Sequence, residues 1–175
     1  MKRQLKPGDF GLTRIKGWTG IWVSLGQWLN GDASKYTHAF VVVDENYIIE
    51  AQPGGAVLTP LADYLERTDV VYSNFSLTQV ERDRIVKRAQ ELEGVPYSFL
   101  DYVAIALVRL GIKADRVIDR VVSSGHLICS QLVTEVYESA GVYIFDNTPP
   151  WLVTPGDLAN RLLELNSAST SNYGN

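Results

Sequence analysis

One thiol, two imidazoles and a small group of polar side chains inside an apolar hairpin are the groups that could carry covalent chemistry in this chain. Cys129 is the only cysteine of 175 residues, and the histidines are His38 and His126. A thiol becomes a strong nucleophile when it ionises and when a nearby imidazole takes and returns its proton. Cys129 opens the stretch CSQLVTEVYESAG. With Cys129 in the first turn, Cys129, Leu132, Val133, Val136, Tyr137 and Ala140 share one helical face, and Gln131, Thr134, Glu135 and Glu138 take the other. Gly141 is the stop. A thiol at a helix start sits at the positive end of the helix dipole, which favours thiolate. The same position also begins a buried stripe, and free cysteine is among the most buried residue types. The helix alone therefore leaves an inert core thiol and a nucleophile both open.

The partner for the thiol must come from elsewhere. YTHAFVVVDENYIIEAQ reads as two β-branched runs around Asp44-Glu45-Asn46, a β-hairpin. A three-residue loop with Asn46 in the left-handed conformation pairs Val43 with Tyr47. One sheet face then carries Ala39, Val41, Val43, Tyr47, Ile49 and Ala51, all compatible with a core. The other carries His38, Phe40, Val42, Ile48, Glu50 and Gln52, with His38 opposite Gln52 and diagonal to Glu50. Three polar groups thus share one corner of an apolar face, where burial is costly unless they satisfy one another. A carboxylate beside an imidazole orients it and stabilises its charged form. A two-residue loop would move Glu50 to the face opposite His38, so this reading hangs on the register. His126 lies in the loop Gly125-His126-Leu127, where no carboxylate has an obvious route to it. It reads as a loop residue near the site entrance.

Other elements must position these groups. PGDFGLTR starts with a turn at Pro7-Gly8 and runs into a short strand. Trp18, Ile21, Trp22, Leu25, Trp28 and Leu29 have helical spacing, closed by Gly31-Asp32; this stripe is core packing or an aromatic wall beside a groove. AVLTP, after a turn at Gly54-Gly55, is a third strand, LADYLERT a short helix or turn, and VVYSNFS another short strand. Thr78 and Glu81 form a capping box for a long helix, with Lys87 and Arg88 on its polar face and Gly94 as the residue after its cap. Ser98 caps a further helix, Phe99 to about Leu110, and 111–125 reads as a loop. Thr154 with Pro155 starts a last helix. Residues 1–165 read as a single domain and 166–175 as a disordered tail.

Composition narrows the class. The formal net charge is −4 and there is no basic stripe, so no nucleic-acid partner is expected. One cysteine cannot form an internal disulfide, and the soft ligands are too few for a zinc site. The N-terminus lacks the apolar core of a signal peptide. The longest apolar run is broken by Asp101 and Arg109, too short and too charged to span a bilayer. A cytoplasmic location without stable membrane insertion is expected, unless the protein is delivered or released by other means.

The order PGD, THAFVVV, YIIEAQPGG, GVPYSF and ICSQLV, spanning roughly Lys6 to Leu163, resembles the circularly permuted NlpC/P60 proteins of the papain-like cysteine hydrolase superfamily. Their relatives include bacterial permuted amidases and the lecithin retinol acyltransferase group. In that family a histidine on one strand precedes a polar residue on the next, and the cysteine follows at a helix start. The resemblance implies Cys129 as nucleophile, His38 as base and acid, and Glu50 as the orienting group. GVPY resembles the Gly-x-Pro-Tyr motif of ordinary NlpC/P60 enzymes, which makes Tyr97 a candidate for binding the reacting carbonyl; Gln52 and Tyr36 are further substrate or oxyanion candidates. Where ordinary members carry Asp-Cys-Ser-Gly, this chain has Ile128-Cys129-Ser130-Gln131, and residues 98–128 separate Tyr97 from Cys129. That insert packs on the core or shapes an acyl pocket.

The expectation is an α+β domain with a papain-like permuted NlpC/P60 core, a small antiparallel sheet packed against helices. It would cleave an amide in a peptide, such as a cell-wall peptide, or in an acyl amide, through a Cys-His-Glu triad without a cofactor. An acyltransferase or esterase acting on lipid or N-acyl substrates, and a binding or assembly module with an inert cysteine, are the alternatives.

Overall fold

The computed structural model describes residues 5–14, 34–52, 55–96 and 129–171. The helices expected over 18–29 and 99–110, the loop 111–125 and Gly54 lie outside the described residues.

The described elements are β1 (Phe10–Thr13), β2 (His38–Val42), β3 (Tyr47–Gln52), β4 (Gly55–Pro60), the short helix α1 (Ala62–Leu65), β5 (Val71–Tyr72), α2 (Gln79–Glu91), α3 (Cys129–Ser139), a 3-10 turn (Pro150–Leu152) and α4 (Pro155–Ser171). This is an α+β arrangement. The strands form one antiparallel sheet in the order β4-β3-β2-β1-β5.

The hairpin has the expected register. Phe40 pairs with Glu50, Val41 with Ile49 and Val42 with Ile48, and the Val43 amide donates to the Tyr47 carbonyl at 2.9 Å. Asn46 departs from expectation. No described non-glycine residue has a positive φ. The loop is instead closed by Asp44, whose Oδ1 accepts the amides of Asn46 (2.7 Å) and Tyr47 (2.8 Å). This local side-chain turn does not need the left-handed conformation.

The two faces of the sheet carry different cores. Phe10, Leu12, Ala39, Val41, Ile49 and Ala51 join Ile85 of α2, Leu132, Val133, Val136 and Tyr137 of α3, and Leu158 of α4 in the main cluster. Tyr47, expected on this face, is largely exposed at the strand end. The opposite face holds a smaller cluster of Phe40, Val42, Ile48, Leu61 and Tyr64. Gly11 makes the second cluster possible: a Cβ there would meet the Phe40 ring at 2.2–2.8 Å, closer than any real contact.

The caps follow the residue chemistry. Thr78 and Glu81 complete the capping box of α2, and Gly94 takes φ +80, one position later than expected, after a C-cap at Leu92. Gly141 (φ +84) ends α3, with its own amide donating to Glu138 and that of Val142 to Tyr137, a Schellman closure. At α4, the Asp157 carboxylate accepts the Thr154 amide (2.8 Å) and the Thr154 hydroxyl accepts the Asp157 amide (3.2 Å). The helix continues to Ser171, so the start of the segment expected as a disordered tail is helical. Once nucleated, each added residue gains a hydrogen bond at modest entropic cost.

Two ties hold α2 and α3 to the start of the chain. Arg82 donates from Nη1 to Asp9 (3.0 Å) and to the Pro7 carbonyl (2.7 Å), and the Tyr137 hydroxyl donates to the Gly8 carbonyl (2.8 Å). The α3 stripe is buried as expected. Its cover is wider than the periodicity indicates, because Thr134 is buried too. The segment before α4 roofs this side: Ser130 Oγ donates to the Val153 carbonyl (2.6 Å), and Thr134 Oγ1 donates back to the Ser130 carbonyl (2.7 Å).

Candidate functional site

α3 packs against β2 and β3. This places Cys129, the first residue of α3, against His38, the first residue of β2. The Cys129 thiol is near enough to the imidazole to favour its charged form. On the other side of the ring, His38 Nε2 lies 2.5 Å from Glu50 Oε2. With Nε2 engaged by the carboxylate, Nδ1 is the ring nitrogen left for sulfur. All three are deeply buried: Cys129 is 4%, His38 6% and Glu50 2% exposed.

Glu50 accepts four hydrogen bonds, two on each oxygen. Oε2 takes His38 and the Tyr64 hydroxyl (2.7 Å); Oε1 takes Thr59 Oγ1 (2.6 Å) and Gln52 Nε2 (2.8 Å). Burial pushes its carboxyl toward the neutral form. The His38 hydrogen bond and charge, with the Thr59 and Tyr64 hydroxyls, outweigh that and hold it down at about 2. Burial likewise opposes the charged imidazole. The neighbouring Cys129 and the hydrogen-bonded Glu50 carboxylate override it, and His38 is raised to about 9. Glu50 is thus ionised and accepts, so Nε2 carries the proton. Burial and the adjacent Glu50 anion both push the Tyr64 phenol up, which keeps it a neutral donor.

A second polar layer backs Tyr64. The Arg67 guanidinium stands 5.2 Å from its ring centroid. Arg67 also bonds Asp69 through Nε (3.0 Å) and Nη2 (2.8 Å), and Thr13 Oγ1 through Nη2 (2.6 Å). Thr13 is the β1 residue paired with His38.

The structure thus brings Cys129, His38 and Glu50 together. Gln52 contacts the rear oxygen of Glu50, so the carboxylate, not the amide, holds the imidazole. Tyr36 is half-buried against the main cluster, with Lys35 Nζ 5.2 Å from its ring centroid. Tyr97 and His126 lie outside the described residues. Sequence reasoning missed Thr59 and Tyr64. Strand alternation in AVLTP places Thr59 on the Glu50 face, so a signal for it exists. Nothing in LADYLERT announces that Tyr64 folds back over β3.

Among the described residues, no group of three His, Cys, Asp or Glu side chains could hold a metal ion, and no helix is long and apolar enough to cross a membrane. The sequence matches no known family model and no curated protein.

Proposed function

We propose that the protein is a papain-like cysteine hydrolase of the permuted NlpC/P60 type that cleaves an amide, with a peptide such as a cell-wall peptide as the leading substrate. The observation that carries this reading is one buried imidazole held between a carboxylate and the chain's single thiol. The order of the elements supports the permuted arrangement, since the strands bearing His38 and Glu50 precede the helix bearing Cys129.

The thiolate of Cys129 attacks the amide carbonyl and forms a tetrahedral oxyanion. Backbone N–H groups at the start of α3 are placed to receive that charge, and Tyr97 is a further candidate. His38, as imidazolium, gives its proton to the leaving amine as the C–N bond breaks and a thioester forms. Neutral His38 then takes a proton from water, whose oxygen attacks the thioester carbonyl. Thiolate leaves, and the acid product is released. Glu50 keeps the ring oriented and its charged form stable throughout. This chemistry uses no cofactor.

Alkylation of Cys129 by chloroacetamide, followed against pH, tests the reading without a substrate. His38→Ala is expected to slow it about 100-fold at neutral pH and to change the shape of the profile. Identical profiles in the native protein and the variant would overturn it. Amine release from cell-wall peptides is then expected; turnover of acyl esters alone would reject the amidase assignment in favour of an esterase or acyltransferase.

A further inference from the structure

We propose that Tyr64, together with Thr59, is a positioning residue that holds the Glu50 carboxylate in the one rotation that aims Oε2 at His38. The proposal rests on the reading of Cys129, His38 and Glu50 as one reacting unit.

The geometry is specific. A glutamate reaches His38 through a flexible side chain, and its two oxygens are interchangeable by rotation. Here each oxygen has assigned donors. Tyr64 shares Oε2 with His38, and Thr59 fixes Oε1 from the neighbouring strand, with Gln52 beside it. Rotating the carboxylate would break bonds at both oxygens together. Thr59 is set by strand register, because it pairs with Ile48 and so lies diagonal to Glu50 on the same face.

Tyr64 is itself fixed from two sides. Its ring packs on Phe40 at 4.5 Å between centroids, and Phe40 lies over Gly11. Arg67 covers the ring from α1's C-terminal side, anchored by Asp69 and Thr13. Among the described residues, the charged and titratable groups facing Glu50 are His38 from β2, Tyr64 from α1 and Arg67 just beyond it, with Cys129 reached through His38. The Tyr64 hydroxyl acts on the same oxygen that holds the imidazole. Without it Oε2 keeps one donor, the anion is less stabilised, and proton sharing shifts from His38 toward Glu50.

The test uses the full-length chain with 13C-labelled glutamate, and Tyr64→Phe, Thr59→Val and Thr59→Ser variants. Two quantities are read: the Glu50 carboxyl titration by NMR, and the rate of Cys129 alkylation by chloroacetamide at pH 7. Tyr64→Phe is expected to raise the Glu50 titration by about one pH unit and to slow alkylation about tenfold. Thr59→Val should act in the same direction, and Thr59→Ser should restore both quantities. A purely structural tyrosine would lower the melting temperature while leaving the titration and the rate of the folded protein unchanged, and that result overturns the proposal. If Tyr64→Phe fails to fold, the Thr59→Val and Thr59→Ser pair decides it on the same criteria. The proposal and the reading beneath it fail separately. Alkylation insensitive to His38→Ala removes the hydrolase reading, whereas alkylation sensitive to His38→Ala but not to the Tyr64 and Thr59 variants removes only this one.

Discussion

The two faces of the sheet are built from the same strands by different physics. On one, α2, α3 and α4 cover Phe10, Leu12, Ala39, Val41 and Ile49, and Phe10, Phe75 and Tyr137 meet edge-on or tilted at 5.5–6.0 Å between centroids. Cohesion there scales with apolar area and tolerates small shifts. On the other, a five-residue apolar cluster shares the face with a buried carboxylate and imidazole, and its Tyr64 bonds the carboxylate. Cohesion there depends on donors meeting acceptors, because an unpaired buried charge is costly. The comparison teaches where precision is needed: the main core holds the fold, and the smaller cluster holds an angle.

The largest effect on stability is expected on the first face, with none on the site. Ile85→Ala removes a fully buried side chain of α2 and should cost about 2–5 kcal/mol in denaturant unfolding. Cys129 alkylation of the folded variant should stay within about twofold of native, since Ile85 lies on α2 and makes no hydrogen bond to His38 or Glu50, although it shares the main cluster with Cys129. A large loss of alkylation would show that the two faces are not separable.

Gly11→Ala strikes the second face. The new Cβ collides with Phe40, and overpacking of this kind costs about 1–3 kcal/mol. Although smaller in stability than Ile85→Ala, it should slow Cys129 alkylation more, because Phe40 carries Tyr64 and Tyr64 carries Glu50. The reverse ranking would break the comparison.

Glu50→Gln keeps the shape and removes the charge. The His38 titration, followed by NMR of the ring protons, should fall from about 9, because burial is then opposed by one negative partner fewer. Stability should follow pH with a defined sign. His38 is raised from 6.5 to about 9, so its contribution is whole below 6.5 and is lost as pH rises through 9. Glu50 is lowered from 4.5 to about 2, so its contribution is whole above 4.5 and is lost as pH falls toward 2. The pair stabilises the native fold most between 4.5 and 6.5. Glu50→Gln should weaken the losses on both sides of that window; an unchanged pH profile would show that the pair does not couple to folding.

Much of this architecture is legible in the chain's local patterns. Alternation in THAFVVV and YIIEAQ, with a short polar loop between them, specifies the hairpin, its register and the placement of His38 and Glu50 on one face. The register is robust because a slip of one residue would turn Ala39, Val41 and Ile49 out of the main core. Thr78 with Glu81 marks a helix start because capping is a contact between residues three apart, and Thr154 followed by Pro155 marks another. Asn46 does not follow the pattern, since turn statistics favour left-handed asparagine whereas here Asp44 bonds the loop amides directly. Thr134 is buried against the expectation of an outward face, since periodicity ranks polarity and does not see that its hydroxyl bonds the Ser130 carbonyl, beside which Ser130 reaches Val153.

The sequence by itself determined which groups share a strand face or a helix stripe, because those relations are local periodicities of the backbone. It could not decide whether Cys129, ninety-one positions after His38, meets that imidazole, nor that Tyr64 and Thr59 complete the shell of Glu50. Such contacts depend on how α3 and α1 are carried back onto the sheet. That placement comes from burying the α3 stripe against the main core and from satisfying a charge that the second face has taken out of water.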